Sequence, residues 1–91
     1  MRLPKKITIS GYDCNIRYSK KVDREDSFGE YDPSKKTITL KKGMSEVQKK
    51  EVFLHEFFHF IEDIYRVKIS HESLENMARG TMQLLNGIVR F

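Results

Sequence analysis

Apolar and polar residues alternate through the N-terminal part of the chain, which predicts β-strands there. In KITISGYDCNIRYSKKV, Ile7 and Ile9 alternate with polar neighbours, and the alternation resumes at Cys14. Gly11 lies between the two alternating stretches. The stretch is therefore either one bent strand or a tight hairpin that turns at this glycine.

A second hairpin is predicted by the stretch FGEYDPSKKTITL. A short strand around residues 28–31 is followed by the turn-forming residues Asp32, Pro33 and Ser34. The next strand has Ile38 and Leu40 on one face, since they are two residues apart. The strand region thus supplies a small, mainly antiparallel sheet of about three strands.

The apolar period changes to that of a helix in KKGMSEVQKKEVFLHEFFHFIEDIYRV. Ser45 is the expected N-cap, with Gln48 three residues later as its capping-box partner. At about 100° per residue, one apolar sector forms; its members are Leu54, Phe57, Phe58, Ile61, Ile64 and Tyr65. Phe60 falls outside this sector. The adjacent polar sector contains His55, Glu56, His59 and Asp63.

A second helix is expected to begin near Ser70. Its inner face is predicted to consist of Leu74, Met77, Ala78, Thr81, Leu84, Leu85 and Ile88. No repeat, low-complexity tract or Pro/Gly-rich linker interrupts the chain, so residues 1–91 are expected to form a single domain. Strands followed by two helices indicate an α+β fold in which both helices pack on one face of the sheet.

Composition narrows the class of protein. The 91 residues are 38% hydrophobic and carry a net charge of +4, without the combination of low hydrophobicity and high net charge that marks disorder. No apolar stretch approaches the roughly 20 residues of a membrane span, and MRLPKKITIS lacks the apolar core of a signal peptide. Cys14 is the only cysteine, which excludes an internal disulfide. We therefore expect a cytoplasmic protein without membrane partners.

The first helix carries the pattern H-E-x-x-H. His55 and His59 are four residues apart, so both rings project from one face and can bind one Zn²⁺ at about 2.0–2.1 Å. Glu56 lies roughly 100° around the helix, where it reaches a metal-activated water but not the metal, and is placed as the general base of peptide hydrolysis. The alternative is a helix with two histidines at the edge of the core and a solvated glutamate.

A catalytic zinc site needs a third protein ligand. Glu75 is favoured because it flanks the inner stripe of the second helix and lies a full turn inside it, whereas His71 lies in the first turn and Glu72 projects away. Asp63 is expected either to orient a histidine or to be exposed. The candidates for the third ligand are Glu62, Asp63, His71, Glu72 and Glu75.

Residues 28–85 resemble a known family. YDPSKKTITLKKGMSEVQKKEVFLHEFFHFIED, followed by SLENMARGTMQLL, is similar to the minimal zincin metallopeptidases often encoded by phages and prophages, the ImmA/IrrE-like group. In that group a hairpin strand leads through a short loop to the H-E-x-x-H helix, and a glutamate on the next helix completes the metal site. The resemblance implies His55 and His59 as ligands and Glu56 as general base. Glu75 in LENMARG is the nearest match to the Glu-x-Ala-Asn-type signature of larger members.

The resemblance implies a zinc-dependent endopeptidase that hydrolyses a peptide bond in an intracellular protein. Members of the group whose function is known act on transcriptional repressors. The resemblance therefore implies a transcriptional regulator as the substrate. An extended substrate could pair with the Ile38–Leu40 strand, if that strand forms the sheet edge beside the metal.

A non-catalytic zincin-fold regulator or binding module with a structural metal is the alternative function. Lysine pairs are scattered through the chain, but no nucleic-acid fold signature or aromatic stacking series accompanies them. Nucleic-acid binding therefore ranks well below proteolysis, and the pattern predicts no oligomeric state.

Overall fold

The computed structural model describes residues 3–22 and 27–88, which form a mixed sheet and two helices. The elements are β1 (Lys6–Ile9), β2 (Tyr12–Ser19), β3 (Gly29–Asp32), β4 (Thr37–Lys41), α1 (Glu46–Tyr65) and α2 (His71–Ile88). The predicted α+β class is confirmed. The sheet has four strands in the order β1-β2-β4-β3, rather than about three.

Both predicted turns form hairpins. At the first, Ser10 and Gly11 have positive φ angles of 51° and 79°, as the two central residues of a type I′ turn require. The chain therefore makes a tight hairpin at Gly11 and not one bent strand. At the second, the Asp32 carboxylate accepts hydrogen bonds from the Ser34 backbone N–H at 2.9 Å and hydroxyl at 2.7 Å, which fixes the turn between β3 and β4.

The strand order differs from the expectation in one functionally important respect. β4 is paired on both sides, antiparallel to β3 and parallel to β2, with Ile16 opposite Ile38. The condition under which a substrate could pair with the Ile38–Leu40 strand, that it forms the sheet edge, is therefore not met, and β3 is the edge on that side. Alternation along a strand shows which face is buried, but the neighbouring strand is chosen by contacts between distant parts of the chain.

The core lies between the inner face of the sheet and the helices. Its largest fully buried side chains are Phe60, Ile38, Leu40, Leu74 and Cys14. The prediction that Phe60 lies outside the core is wrong, because α1 is covered by the sheet on one side and by α2 on another. The Phe60 ring packs against Tyr31 on β3, with 5.8 Å between ring centroids. Tyr65, assigned to the core sector, is instead 51% exposed.

Local capping explains where α1 begins and ends. The Ser45 side chain accepts a hydrogen bond from the Gln48 backbone N–H at 3.2 Å, as predicted for the N-cap. At the other end Arg66 adopts the left-handed conformation with φ 53°, and its N–H donates to the Glu62 carbonyl. This ending turns the chain back so that α2 packs beside α1.

The inner face of α2 is only partly the predicted one. Leu74 and Ala78 are buried as expected, together with Met82, which the pattern did not place there. Met77 and Leu84 are exposed, because α2 packs on α1 through a narrower stripe than the apolar pattern suggested. The side chain of Ile88 lies outside the described residues.

Neither helix has the character of a membrane span. α1 contains 20 residues and α2 contains 18, but charged residues recur along both. Among the described residues, no helix is both long and apolar enough to cross a bilayer.

Candidate metal centre and groove

His55 and His59 lie side by side on α1, one turn apart. Their ring centroids are 5.0 Å from each other and the rings are inclined by 69°. Two imidazole nitrogens on one tetrahedral zinc ion lie roughly 3.3 Å apart. Neighbouring rings at the observed separation can present their nitrogens at that spacing. The helix thus supplies two neighbouring donors of the type that zinc binds.

Glu62 fixes the orientation of the His59 ring. Its Oε1 is 2.7 Å from His59 Nδ1, and its Oε2 accepts a hydrogen bond from the Ile69 backbone N–H at 2.8 Å. An ionised carboxylate only accepts, so the ring donates through Nδ1–H, and in a neutral ring this tautomer has its lone pair on Nε2. Glu62, one of the candidate third ligands, therefore binds the Nδ1 side of the His59 ring, opposite to Nε2. The spacing of three residues along one helix is the sequence signal that could have indicated this role.

Asp63 contacts neither histidine and is only partly exposed. Its Oδ2 accepts hydrogen bonds from the Tyr31 hydroxyl at 2.5 Å and from Lys36 Nζ at 2.9 Å. The Tyr31 bond and then the Lys36 bond lower the pKa of Asp63 below its ordinary value. Burial, followed by the bond to Asp63, raises the pKa of Tyr31. Asp63 thus ties α1 to the β3–β4 hairpin.

Both favoured candidates for the third ligand lie next to His55. The His71 ring centroid is 5.3 Å from that of His55, and His71 Nε2 is 3.1 Å from Glu75 Oε1. The side chains of His71 and Glu75 are 71% and 45% exposed, which leaves both able to change rotamer. Glu72 is exposed and lines neither of the concavities described below, in agreement with its projection away from the inner stripe.

The environment of His55 favours its neutral form. Burial is the main cause that lowers its pKa, and the neighbouring His59 and His71 lower it further, because a second or third positive charge nearby is unfavourable. Neutral imidazole is the form that binds a metal, so the cluster keeps this nitrogen available for coordination.

The candidate ligands suit zinc in type but do not converge on one point in this conformation. Across residues 3–22 and 27–88, no group of three or more His, Cys, Asp or Glu side chains is arranged to hold a metal ion. The Glu75 carboxylate is engaged with His71.

Glu56 lies at the junction of two concavities. It is only 7% exposed and belongs to the lining of both. The first, of about 360 Å³, lies between the start of β3, α1 and α2; the second, of about 450 Å³, lies between β3, the second half of α1 and the loop after it. We call the two concavities together the groove. His55 lines the first and His59 the second, so the pair spans the junction.

The edge strand β3 forms one wall of the groove. The Phe28 carbonyl accepts a hydrogen bond from the Lys41 N–H at 2.8 Å, which fixes the alternation along this strand. Gly29 and Tyr31 therefore direct their backbone N–H and C=O groups away from β4, towards the open edge. The Ser27 hydroxyl donates to the Gly29 carbonyl. Tyr31 remains as the position where a further strand could pair.

Gly29 lets β3 approach α1 closely. A Cβ atom at this position would lie 2.6 Å from Val52 Cγ1, nearer than real Cβ contacts allow. A residue without a side chain is therefore needed where the strand crosses the helix, and both Gly29 and Val52 line the first concavity.

Comparisons with known proteins identify no relative of this chain. No protein-family model matches it, and neither a search of curated proteins nor a search of solved structures gives a match. The resemblance to the ImmA/IrrE-like group remains a prediction from the sequence, and the site has to be interpreted from its own geometry.

Proposed function

We propose that this chain is a small zinc-dependent endopeptidase of the zincin type that hydrolyses a peptide bond in a cytoplasmic protein. One observation carries the proposal. His55, His59 and the buried Glu56 lie on one helix at the junction of two concavities, beside the open edge of a sheet. This combines two metal donors, an adjacent carboxylate and room for a peptide on both sides.

The proposed roles follow from the position of each side chain. His55 and His59 would hold the metal, with Glu75 as third ligand after it leaves His71. A bound zinc ion would supply an activated water and polarise the peptide carbonyl. Glu56 would accept the proton of the attacking water and pass it to the leaving amine. Glu62 would hold the His59 ring through Nδ1.

A substrate would lie along β3 in an extended conformation. The backbone groups of Tyr31 are directed to the open edge, where they can pair with an added strand. Such a peptide would pass Glu56 with one part in each concavity. This replaces the Ile38–Leu40 strand, which is paired on both sides, as the wall that a substrate would contact.

A non-catalytic regulator with a zincin fold is the second candidate. It is favoured by the engagement of Glu75 with His71, since His71 could become a fourth donor and close the coordination of a structural metal. In that case the groove would bind a partner without cleaving it.

The decisive variant is Glu56→Gln, with Glu72→Gln as the matched control outside the groove. Wild type and both variants would be expressed in the native host, and intact protein levels compared by mass spectrometry. A substrate should disappear with wild type and with Glu72→Gln, and persist with Glu56→Gln, because loss of a general base costs about 10²–10⁴-fold in rate. If the three proteomes match and one partner co-purifies with all three, the endopeptidase proposal fails and the regulator is preferred.

Zinc content gives an independent test. Wild type should bind one zinc ion per chain, and a His55→Ala, His59→Ala double variant should bind none, because both imidazole donors are removed. Elemental analysis after dialysis measures this directly. Equal zinc content in the two proteins would contradict a site at the histidine pair.

A further inference from the structure

One stripe of α1 faces the edge strand across the groove. Its members are Val52, Glu56, His59 and Asp63, which follow one another at intervals of four, three and four residues. At about 100° per residue they lie within a sector of roughly 60°. All four line the groove. This stripe and β3 are therefore two opposing walls of the groove.

The strand β3 is joined to the stripe at both of its ends. Gly29 lies so close to Val52 that a Cβ atom would come within 2.6 Å of Val52 Cγ1. Two residues later, the Tyr31 hydroxyl donates a hydrogen bond to Asp63 Oδ2 at 2.5 Å. Side chains alternate along a strand, so positions 29 and 31 face the same side. We call these two contacts the anchors.

The other two members of the stripe, Glu56 and His59, lie between the anchors. Glu30, the strand residue between them, projects to the other face of the sheet, because side chains alternate along a strand. The strand therefore crosses this part of the stripe without a side chain directed at it. The anchors thus hold the backbone of β3 over the proposed general base and one proposed metal ligand.

Tyr31 connects the open edge of the sheet to the second anchor. Its backbone N–H and C=O face away from β4, where an added strand would pair. Its ring packs on Phe60, with 5.8 Å between centroids, and its hydroxyl reaches Asp63. Lys36 Nζ donates to the same carboxylate oxygen at 2.9 Å and holds the acceptor in place. The residue that would pair with a substrate is therefore fixed to the helix that carries the histidine pair.

We propose that the Tyr31–Asp63 hydrogen bond positions the substrate: it fixes the open edge of β3 relative to Glu56 and thereby selects which peptide bond of a paired strand is hydrolysed. This inference rests on the proposed function, since selection of a bond requires cleavage. Tyr31 and Asp63 are positioning residues, which act through the strand and not on the reacting atoms. A misplacement of about 1 Å can cost on the order of 100-fold in rate, so a single anchor has a large effect on catalysis.

Removal of the Tyr31 hydroxyl tests the proposal. Tyr31→Phe keeps the ring on Phe60, and Tyr18→Phe is the matched control on β2. Zinc-loaded wild type and variants would be incubated with peptides from the denatured proteome of the native host, and the cleaved bonds identified by mass spectrometry. Tyr31→Phe should cut additional bonds next to those cut by wild type, because the edge is no longer fixed. For the peptide that wild type cleaves fastest, kcat should fall about 10–100-fold with KM within about twofold, since pairing with the edge is kept.

Substitutions of Asp63 separate positioning from a loss of folding. Asp63→Asn keeps an oxygen that accepts from the Tyr31 hydroxyl and should retain the wild-type cleavage positions. Asp63→Ala removes the acceptor and should behave as Tyr31→Phe. A partly unfolded protein would instead lose activity equally at every bond, without new cleavage positions, and circular dichroism measures the folded fraction.

The outcomes distinguish this inference from the proposed function. Unchanged cleavage positions and kcat in both Tyr31→Phe and Asp63→Ala would overturn the inference and leave the endopeptidase proposal intact. The same broadening of cleavage in Tyr18→Phe would also overturn it. Absence of cleavage by zinc-loaded wild type would reject the proposed function, and the inference with it.

Discussion

Replacement of Gly29 by alanine should destabilise the protein through one steric contact. The added Cβ would lie 2.6 Å from Val52 Cγ1, and 3.3 Å from both Leu40 Cδ2 and the Thr39 carbonyl oxygen. Val52 is β-branched and lies in the middle of α1, so its χ1 rotamer cannot easily change. Overpacking of this kind costs about 1–3 kcal/mol, offset by the roughly 0.5–1 kcal/mol that alanine gains over glycine in a strand. We expect a net loss of about 1 kcal/mol, within the roughly 0–2.5 kcal/mol that these two figures span.

Truncation of Val52 to alanine should remove the loss of stability caused by Gly29→Ala. Val52→Ala alone should cost about 0.8 kcal/mol, because it removes two half-buried carbon atoms. In that background the alanine at position 29 no longer meets Cγ1, so Gly29→Ala should become neutral or stabilising. The free energy of unfolding of the four proteins, from urea titrations followed by circular dichroism, would give a coupling of about 1–3 kcal/mol.

Gly80→Ala is the control for replacing a glycine by alanine where no steric contact results. Nothing lies within 4 Å of a Cβ at this position on α2, so Gly80→Ala should stabilise the protein by about 1 kcal/mol through helix propensity alone. If Gly29→Ala is as stable as wild type, or if its cost is unchanged by Val52→Ala, the close approach of β3 to α1 is not what requires glycine.

Three further predictions concern α1 and its end. Glu62→Gln should weaken zinc binding about 10–100-fold in a competition titration, because the His59 ring loses its charged acceptor; unchanged affinity would exclude this role. Arg66→Gly should raise the melting temperature, corresponding to about 1 kcal/mol, since glycine adopts φ 53° without steric cost. The lowered pKa of Asp63 means that its ionised form contributes stability above the unfolded value of 3.8, and that this contribution is lost as pH falls through the lower folded pKa. Stability of Asp63→Asn should therefore depend less on pH below 3.8 than that of wild type.

The local features of the fold were predictable because they depend on neighbouring residues. The Gly11 turn, the turn after Asp32 and the Ser45 cap are each determined within about four residues, and all three form as hydrogen-bonding chemistry requires. The spacing of His55 and His59 likewise follows from the helix alone.

The predictions that were wrong concern features that depend on what each helix or strand packs against. A helix with one partner buries one sector, but α1 meets both the sheet and α2, so Phe60 is buried although it lies outside the densest apolar stripe. Strand order likewise depends on packing between distant parts of the chain, since the pairing of β2 with β4 joins residues far apart in the sequence. The contact of Glu75 with His71 follows from their spacing of four residues on α2, whereas the position of His71 beside His55 depends on how α2 packs on α1 and could not be obtained from helix projection.

The strand order has a consequence for how this chain can change in evolution. Every described residue that lines the groove lies between positions 27 and 79, whereas β1 and β2 lie on the far side of β4. The contiguous unit β3–β4–α1–α2 thus contains the described residues of the candidate site, and the N-terminal hairpin completes the core beside it through Cys14 and Ile16, with Ile7 and Ile9 packed against them. Insertions in the Ser10–Gly11 turn therefore act first on the contact between the Ser10 and Tyr65 hydroxyls at the end of α1, roughly two and a half turns from Glu56.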